Sequence, residues 1–225
     1  MTLSPAQAQG KPKLRVLCAN NPSPMTHIGI MTHLLGTEEV VLIDPGPDLP
    51  AHAEAILAAL GPGERISAIL ATHAHADHVA GMVRLQDLTR VPSFAFGAGG
   101  EGHSPVMASL VLQGLPDGGE GFAPAFAPDH PLADGQTISP AGFPITALHT
   151  PGHTGCSIFF AVGDWLFTGD LVMGWASSLI SPPDGDMAAY MAALTRLAQQ
   201  PWSRLFPGHG PPVEAAITRS CGVFS

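Results

Sequence analysis

The sequence predicts an α/β domain, and three observations carry that prediction. Short apolar runs of strand length recur along the chain, and one of them, Ile66 to Ala71, has the composition of a strand covered on both faces. Helix-length segments fall between the runs, which begin in the order strand, strand, strand, helix, strand, helix. The 225 residues are 45% apolar, enough to bury a sizeable core in one domain, or in one domain built from two halves.

Taken in order, Leu14 to Cys18 is a short apolar run suited to a strand. His27 to Leu35 and Val40 to Ile43 read as a hairpin about Gly36-Thr37-Glu38-Glu39, ending in Asp44-Pro45-Gly46. Pro50 opens an Ala/Leu-rich helix that Gly61-Pro62-Gly63 stops. The strand Ile66 to Ala71 runs straight into Thr72-His73-Ala74-His75-Ala76-Asp77-His78, and Val79 to Leu88 reads as one helix. Val91 to Phe96 is a further strand. Gly97 to Pro131 is rich in Gly and Pro, as expected of a surface excursion, with a short helix at Pro105 to Leu112.

After Asp134-Gly135 the strands resume. Pro144 to Leu148 leads into His149-Thr150-Pro151-Gly152-His153-Thr154. Cys156 to Val162 and Trp165 to Phe167 form a hairpin about Gly163-Asp164, ending in Thr168-Gly169-Asp170. Met187 to Gln199 is helical, with Asp184 and Asp186 as candidate N-caps and Met187, Met191 and Leu194 spaced to face a core. Arg204 to Phe206 is a last short strand before Pro207-Gly208-His209. No linker or repeat divides the chain, so residues 1–225 are expected to form a single domain with no separate C-terminal one.

Charge narrows the partners. Nine Lys and Arg stand against 18 Asp and Glu, a net charge of −9, and no Lys or Arg occurs between Arg90 and Arg196. Phosphate backbones are held by clustered basic side chains, so nucleic acid is disfavoured and a small-molecule substrate is expected. The apolar runs are all far shorter than the roughly 20 residues of a spanning helix, so no membrane partner is expected. The opening MTLSPAQAQGKPKLRVL lacks the apolar segment of a secretory signal. Cys18, Cys156 and Cys221 are odd in number and widely spaced, and read as reduced thiols. The expected location is therefore cytoplasmic. Nothing in the sequence sets the oligomeric state.

The chemistry concentrates in six residues, His73 to His78. On an extended segment His73 and His75 point to one side. The turn into a helix then presents Asp77 and His78 to a second point a few ångströms away, so two neighbouring metal positions can be seeded from one short stretch. A lone His-x-His is more often a surface turn. Here, however, His153, Asp170 and His209 each follow an apolar run and sit beside a Gly that allows a tight turn. Strand ends of this kind gather at one edge of a sheet. Imidazole and carboxylate donors suit zinc, iron or manganese, and no thiolate joins them.

The motifs HAHADH at 73–78, HTPGHT at 149–154, GD at 169–170 and GH at 208–209 resemble, in that order, the metallo-β-lactamase fold superfamily. The resemblance spans about residues 14–213. It implies a four-layer αββα sandwich holding two divalent metal ions at one edge of its sheets, zinc first, with iron or manganese as alternatives. By position, His73, His75 and His153 would hold one metal; Asp77, His78 and His209 would hold the other; Asp170 would bridge them. True β-lactamases lack the bridging carboxylate, and one class places a Cys at the second metal. Cys156 lies three residues past His153 and is not in that position. β-Lactamase activity is accordingly expected to be weak at most.

GDLVMGWASSLISPPDGDMAAYMAAL, LFPGHGPP, PSPMTHIG and LIDPGP are similar to the branch called β-lactamase-like protein 2, which includes mitochondrial endoribonucleases. Two departures stand out. That branch usually continues past the last His with a helical domain of several dozen residues, whereas 16 residues follow His209 here. Met31 and His33 stand where relatives tend to have Asn and Tyr.

The remaining candidates support the centre or merely pack. Asp44 either holds a ligand imidazole or forms a turn before Pro45. Thr72 and Thr154 are expected to cap locally, and His149 to be a satisfied core or supporting His. His27 and His33 lie on the hairpin that often walls the cleft in this fold. Trp175, Ser177 and Ser178 either touch substrate or pack. The expected protein is a binuclear metal-dependent hydrolase of an ester, thioester or similar bond, with Asp77 as the catalytic carboxylate that orients the attacking water. No Lys or Arg near the motifs can protonate a leaving group, which favours a thiolate or acidic alcohol. The alternatives are an endoribonuclease or phosphodiesterase, a mononuclear iron persulfide dioxygenase, and a non-catalytic protein.

Overall fold

The structure is a computed structural model that describes residues 11–116, 121, 123 and 125–214. Cys221 lies outside the described residues, as do 117–120, 122 and 124 of the Gly/Pro-rich excursion. No helix among those described is long and apolar enough to cross a membrane.

Two six-stranded sheets form the middle of the molecule. The first takes its strands in chain order: β1 (Leu14–Cys18), β2 (Met31–Gly36), β3 (Glu39–Ile43), β4 (Arg65–Leu70), β5 (Ser93–Ala95) and β6 (His130–Pro131). β1 to β3 pair antiparallel and β3 to β6 parallel. The second contains β7 (Thr137–Ile138), β8 (Ile145–His149), β9 (Ile158–Val162), β10 (Trp165–Gly169), β11 (Arg204–Pro207) and β12 (Val213–Glu214). Its neighbours are antiparallel except β10 and β11, which run parallel. The helices are α1 (Pro50–Ala58), α2 (Ala76–Val79), α3 (Met82–Thr89), α4 (Pro105–Leu112) and α5 (Met187–Ala198).

The period-2 alternation of side chains explains the layering. In β3, Val40 and Leu42 face outward to Ile56 of α1 and to Met82 and Leu85 of α3, while Val41 and Ile43 face inward. In β9, Ile158 and Phe160 join Val41, Ile43, Leu70, Phe167 and Phe206 between the sheets. Phe159 faces outward to Ala193, Leu194 and Leu197 of α5. Helices thus cover the outer face of each sheet, giving the αββα order. Each fully buried Leu, Ile or Phe contributes about 1.5–3 kcal/mol.

Four expectations are corrected. β2 begins at Met31 rather than His27, because His27 has φ +58° and the chain from Ser23 folds back on itself through a Ser23–His27 bridge. The helix expected over Val79 to Leu88 is two, α2 and α3, broken at Gly81. Gly81 donates its N–H to the Gly46 carbonyl, and a Cβ there would press within 3.0–3.3 Å of the carbonyls of Pro45, Gly46 and Pro47. In α5 the inward stripe is Tyr190, Ala193, Leu194 and Leu197, which leaves Met187 and Met191 56% and 55% exposed. Asp186 caps α5, accepting from the N–H groups of Ala188 and Ala189, whereas Asp184 is buried ahead of the helix and does not cap it.

Candidate metal centre

The site is assembled at the ends of strands from both sheets. β4 ends at Leu70, and the extended Ala71 to His75 carries His73 and His75 before α2 begins. α2 then presents Asp77 and His78 in its single turn. His153 lies in the loop after β8, Asp170 directly after β10 and His209 just after β11. The parallel pairing of β10 with β11 sets Gly169 opposite Pro207 and so brings Asp170 beside His209.

All seven residues come together. His73 Nε2 lies 3.0 Å from His75 Nδ1, and His153 Nε2 lies 3.1 Å from the same atom. His209 Nε2 is 3.1 Å from Asp77 Oδ2 and 3.3 Å from Asp170 Oδ2. His78 Nε2 is 3.3 Å from Asp170 Oδ1, and His153 Nε2 is 4.0 Å from Asp170 Oδ2. Three groups offer donor atoms all within 4.8 Å of one another: His73, His75 and His153; His73, His78 and Asp170; Asp77, His78 and His209. Asp170 faces members of both outer groups. All but Asp77 are buried, and Asp77 is the half-buried member that faces outward.

The buried donor set fits a cation. His78 Nε2 and Asp170 Oδ1 are buried and, although they face each other, make no hydrogen bond. Buried polar atoms rarely stay unsatisfied unless a ligand or ion completes them. The charges are consistent with this. Burial, reinforced by His78, His75 and His153, holds His73 well below its ordinary value, and burial with His153 and His78 takes His75 down to about 3. Burial would lower His209 too, but the Asp170 and Asp77 carboxylates lift it to about 10, and Asp170, Asp77 and Asp44 overcome burial to raise His78. Burial alone would raise Asp170, yet His78 and His209 hold it well below the carboxylate range. Gly208 lies hard against this arrangement: a Cβ there would stand 2.4 Å from Asp170 Oδ1 and 2.6 Å from His78 Cε1.

The supporting residues resolve the open readings. Asp44 accepts from Thr72 N at 2.8 Å and from Thr72 Oγ1, while its Oδ2 lies 3.0 Å from His78 Nδ1. Asp44 therefore orients the His78 ring so that Nε2 faces the cluster. Thr72 does not simply cap; it links that carboxylate to His73, with Oγ1 3.1 Å from His73 Nδ1. Thr154 bonds locally to Ser157, and His149 is satisfied by the Gly155 carbonyl and stacked on Phe96. His33 is corrected: it lies buried between the sheets, edge-on to Phe167 and Phe206, and does not wall the cleft. Two orienting groups left no mark in the sequence. His153 Nδ1 lies 2.8 Å from the Leu179 carbonyl and His209 Nδ1 3.2 Å from the Gly29 carbonyl, both backbone atoms on remote loops.

Known proteins place this geometry. A family model described as metallo-beta-lactamase superfamily matches residues 27–209. The lactamase-like protein vrtG of Penicillium aethiopicum is 31% identical over 93% of this chain and 61% of its own length. The beta-lactamase-like protein 2 homolog of Drosophila melanogaster is 30% identical over 96% of this chain and 70% of its own. The atrochrysone carboxyl ACP thioesterase of Aspergillus chevalieri is 30% identical over 88% of this chain and 57% of its own. The chain thus spans roughly three-fifths of the length of the first curated relatives it matches. Among solved structures, the BLEG-1 B3 metallo-beta-lactamase superposes with a TM-score of 0.72 at 23% identity, covering 95% of this chain and 100% of its own. TTHA1623 in a di-iron-bound form gives a TM-score of 0.66 at 28% identity, covering 91% and 96%. The family model runs from the loop before β2 to the last histidine of the cluster, and by that match the chain belongs to the metallo-beta-lactamase superfamily.

Proposed function

We propose that the protein is a binuclear metal-dependent hydrolase whose preferred bond is a thioester or activated ester of a small molecule. The observation that carries this reading is the convergence of five imidazoles and two carboxylates with no amino or guanidinium group among them. His73, His75 and His153 would hold one ion, Asp77, His78 and His209 the other, and Asp170 would lie between them. Zinc suits this nitrogen and oxygen set, and iron or manganese are the alternatives. When bound, such ions lower the pKa of coordinated water and polarise the substrate oxygen. Asp77, the most open member of the cluster, is placed to orient the attacking water and accept its proton at Oδ.

Among the described residues, no Lys or Arg is placed at the cluster to serve as an acid for the leaving group. Each of the eight described Lys and Arg side chains pairs with an acidic residue outside the cluster. A leaving group that departs as a stable anion, such as a thiolate, needs no such acid. The Aspergillus chevalieri relative is named as a thioesterase, which supports the same bond class. The scarcity of basic residues, 9 against 18 acidic, also argues against gripping RNA. The test is thiol release from neutral thioesters by protein loaded separately with zinc, iron or manganese, beside cleavage of single-stranded RNA and uptake of oxygen with a persulfide. Thiol release that disappears in Asp170→Ala is expected. Efficient, salt-sensitive RNA cleavage or stoichiometric oxygen uptake, without thiol release, would overturn the proposal.

A further inference from the structure

Two loops border the metal cluster, and both are chemically unusual. Residues 19–30, between β1 and β2, and residues 171–183, the stretch between Asp170 and Asp184 in the connection from β10 to α5, contain no Asp, Glu, Lys or Arg. Each loop also touches the cluster directly. The first supplies the Gly29 carbonyl to His209, and the second supplies the Leu179 carbonyl to His153. The second is further tied down by Ser178 Oγ donating to the Asp170 carbonyl and by Gly174 N donating to the His209 carbonyl.

Large apolar side chains on these loops nevertheless point to solvent. Met25 and Ile28 are 44% and 54% exposed on the first loop, and Trp175 and Leu179 are 39% and 42% exposed on the second. The loops meet where His27 stacks on Trp175, ring centroids 4.6 Å apart and planes 14° apart. Trp175 also lies against Gly210, the residue after His209. A rigid aromatic surface is thus held next to the cluster from two sides. Scattered exposed apolar residues need no explanation, but a set carried by the two loops that orient opposite ends of a reaction centre does.

We infer that Trp175, backed by His27, is a subsite for an uncharged apolar acyl chain, with the exposed Met25, Ile28 and Leu179 of the same two loops adding apolar surface. The inference rests on the hydrolase reading and names its substrate class: a hydrophobic acyl thioester, whose carbonyl would sit at the cluster while its chain lies along the indole. Each buried methylene is worth about a fourfold change in affinity; on a half-open surface about twofold per methylene is expected.

The test measures kcat/KM for N-acetylcysteamine thioesters from acetyl to decanoyl with the zinc-loaded protein. In parallel, calorimetry measures the binding of the matching S-alkyl thioethers, which cannot be hydrolysed. Wild type is expected to gain about twofold per methylene in both series. Trp175→Ala should flatten both slopes by more than half. Trp175→Phe, which keeps an apolar ring, should retain most of them, and Leu88→Ala, an exposed apolar change on α3, should leave them unaltered. Chain-length-independent binding in wild type, or an unchanged slope in Trp175→Ala, would overturn the subsite even if thioesters are hydrolysed. Chain-dependent binding without turnover would instead overturn the hydrolase reading and leave the subsite standing.

Discussion

Asp44→Asn is the perturbation that most sharply separates support of the centre from support of the fold. Asp44 is buried, has φ +53°, and uses one carboxylate to hold both Thr72 and His78. Asn tolerates a positive φ better than most residues and can still accept from Thr72 N through its amide oxygen. Its NH2 then stands where Oδ2 faced His78 Nδ1 and, being a donor, cannot accept from that ring, so the bond is lost altogether. A charge-assisted hydrogen bond is worth about 1.5–3 kcal/mol. That loss falls on the ion that His78 would bind, and agrees with the 10- to 100-fold weakening usual when such an imidazole loses its partner, about 1.4 kcal/mol per tenfold. The assay is zinc titration of metal-free protein against a chromophoric chelator, with a thermal melt of the metal-free forms alongside. One binding step should weaken about 10- to 100-fold while the other stays within about threefold and the melt barely moves. Two unchanged steps, or two equally weakened ones, would refute the role assigned to Asp44.

Further outcomes follow from the same geometry. Asp170→Ala should lower turnover by more than about 100-fold, beyond what loss of a supporting partner costs, with the melting curve of the metal-free protein largely kept; near wild-type turnover would show that Asp170 does not lie between the ions. Gly208→Ala should cut zinc content below one ion per chain by mass spectrometry, because the added methyl meets Asp170 and His78 at 2.4 and 2.6 Å. Burial pushes His33 down to about 4, so it is neutral in the fold and protonates more readily when unfolded. Its stabilising effect is full above about pH 6.5 and is lost as pH falls toward 4, about 3 kcal/mol at the acid end. His33→Phe should therefore show a flatter decline in melting temperature between pH 6.5 and 4 than wild type, and parallel curves would count against it.

The sequence was most legible where the chemistry is local. His73, His75, Asp77 and His78 lie in one turn, and the Gly beside each of His153, Asp170 and His209 marks a strand giving way to a tight bend. The strands themselves were readable because Val, Ile, Leu and Phe runs covered on both faces have little else to become. Helix α4 falls on Pro105–Leu112, where Ser104 supplies a cap and Pro105 an opening residue. What was hidden depends on distant contacts. Asp44 could be an Asx turn or a partner for an imidazole until the parallel pairing of β3 with β4 set it beside Thr72. Met187 and Met191 share a helical spacing with Leu194, but so does the stripe from Tyr190 to Leu197, and packing against β8 to β11 chose the latter. The carbonyls of Gly29 and Leu179 have no side-chain signature at all.

The cluster draws His73, His75, Asp77 and His78 from the end of one sheet and His153, Asp170 and His209 from the end of the other, and Ile30 is bridged to His209 across the gap. Ions spanning these donors would recognise only the docked sandwich, since neither half alone presents both sets. Free metal at 100 times its Kd would then add about 2.7 kcal/mol to the stability of the whole domain, not of one loop. A shift of that size changes the unfolded fraction by about two orders of magnitude, and with it exposure to proteolysis. Abundance of the protein would in this way follow the metal supply of its surroundings, with the donor cluster itself acting as the sensor.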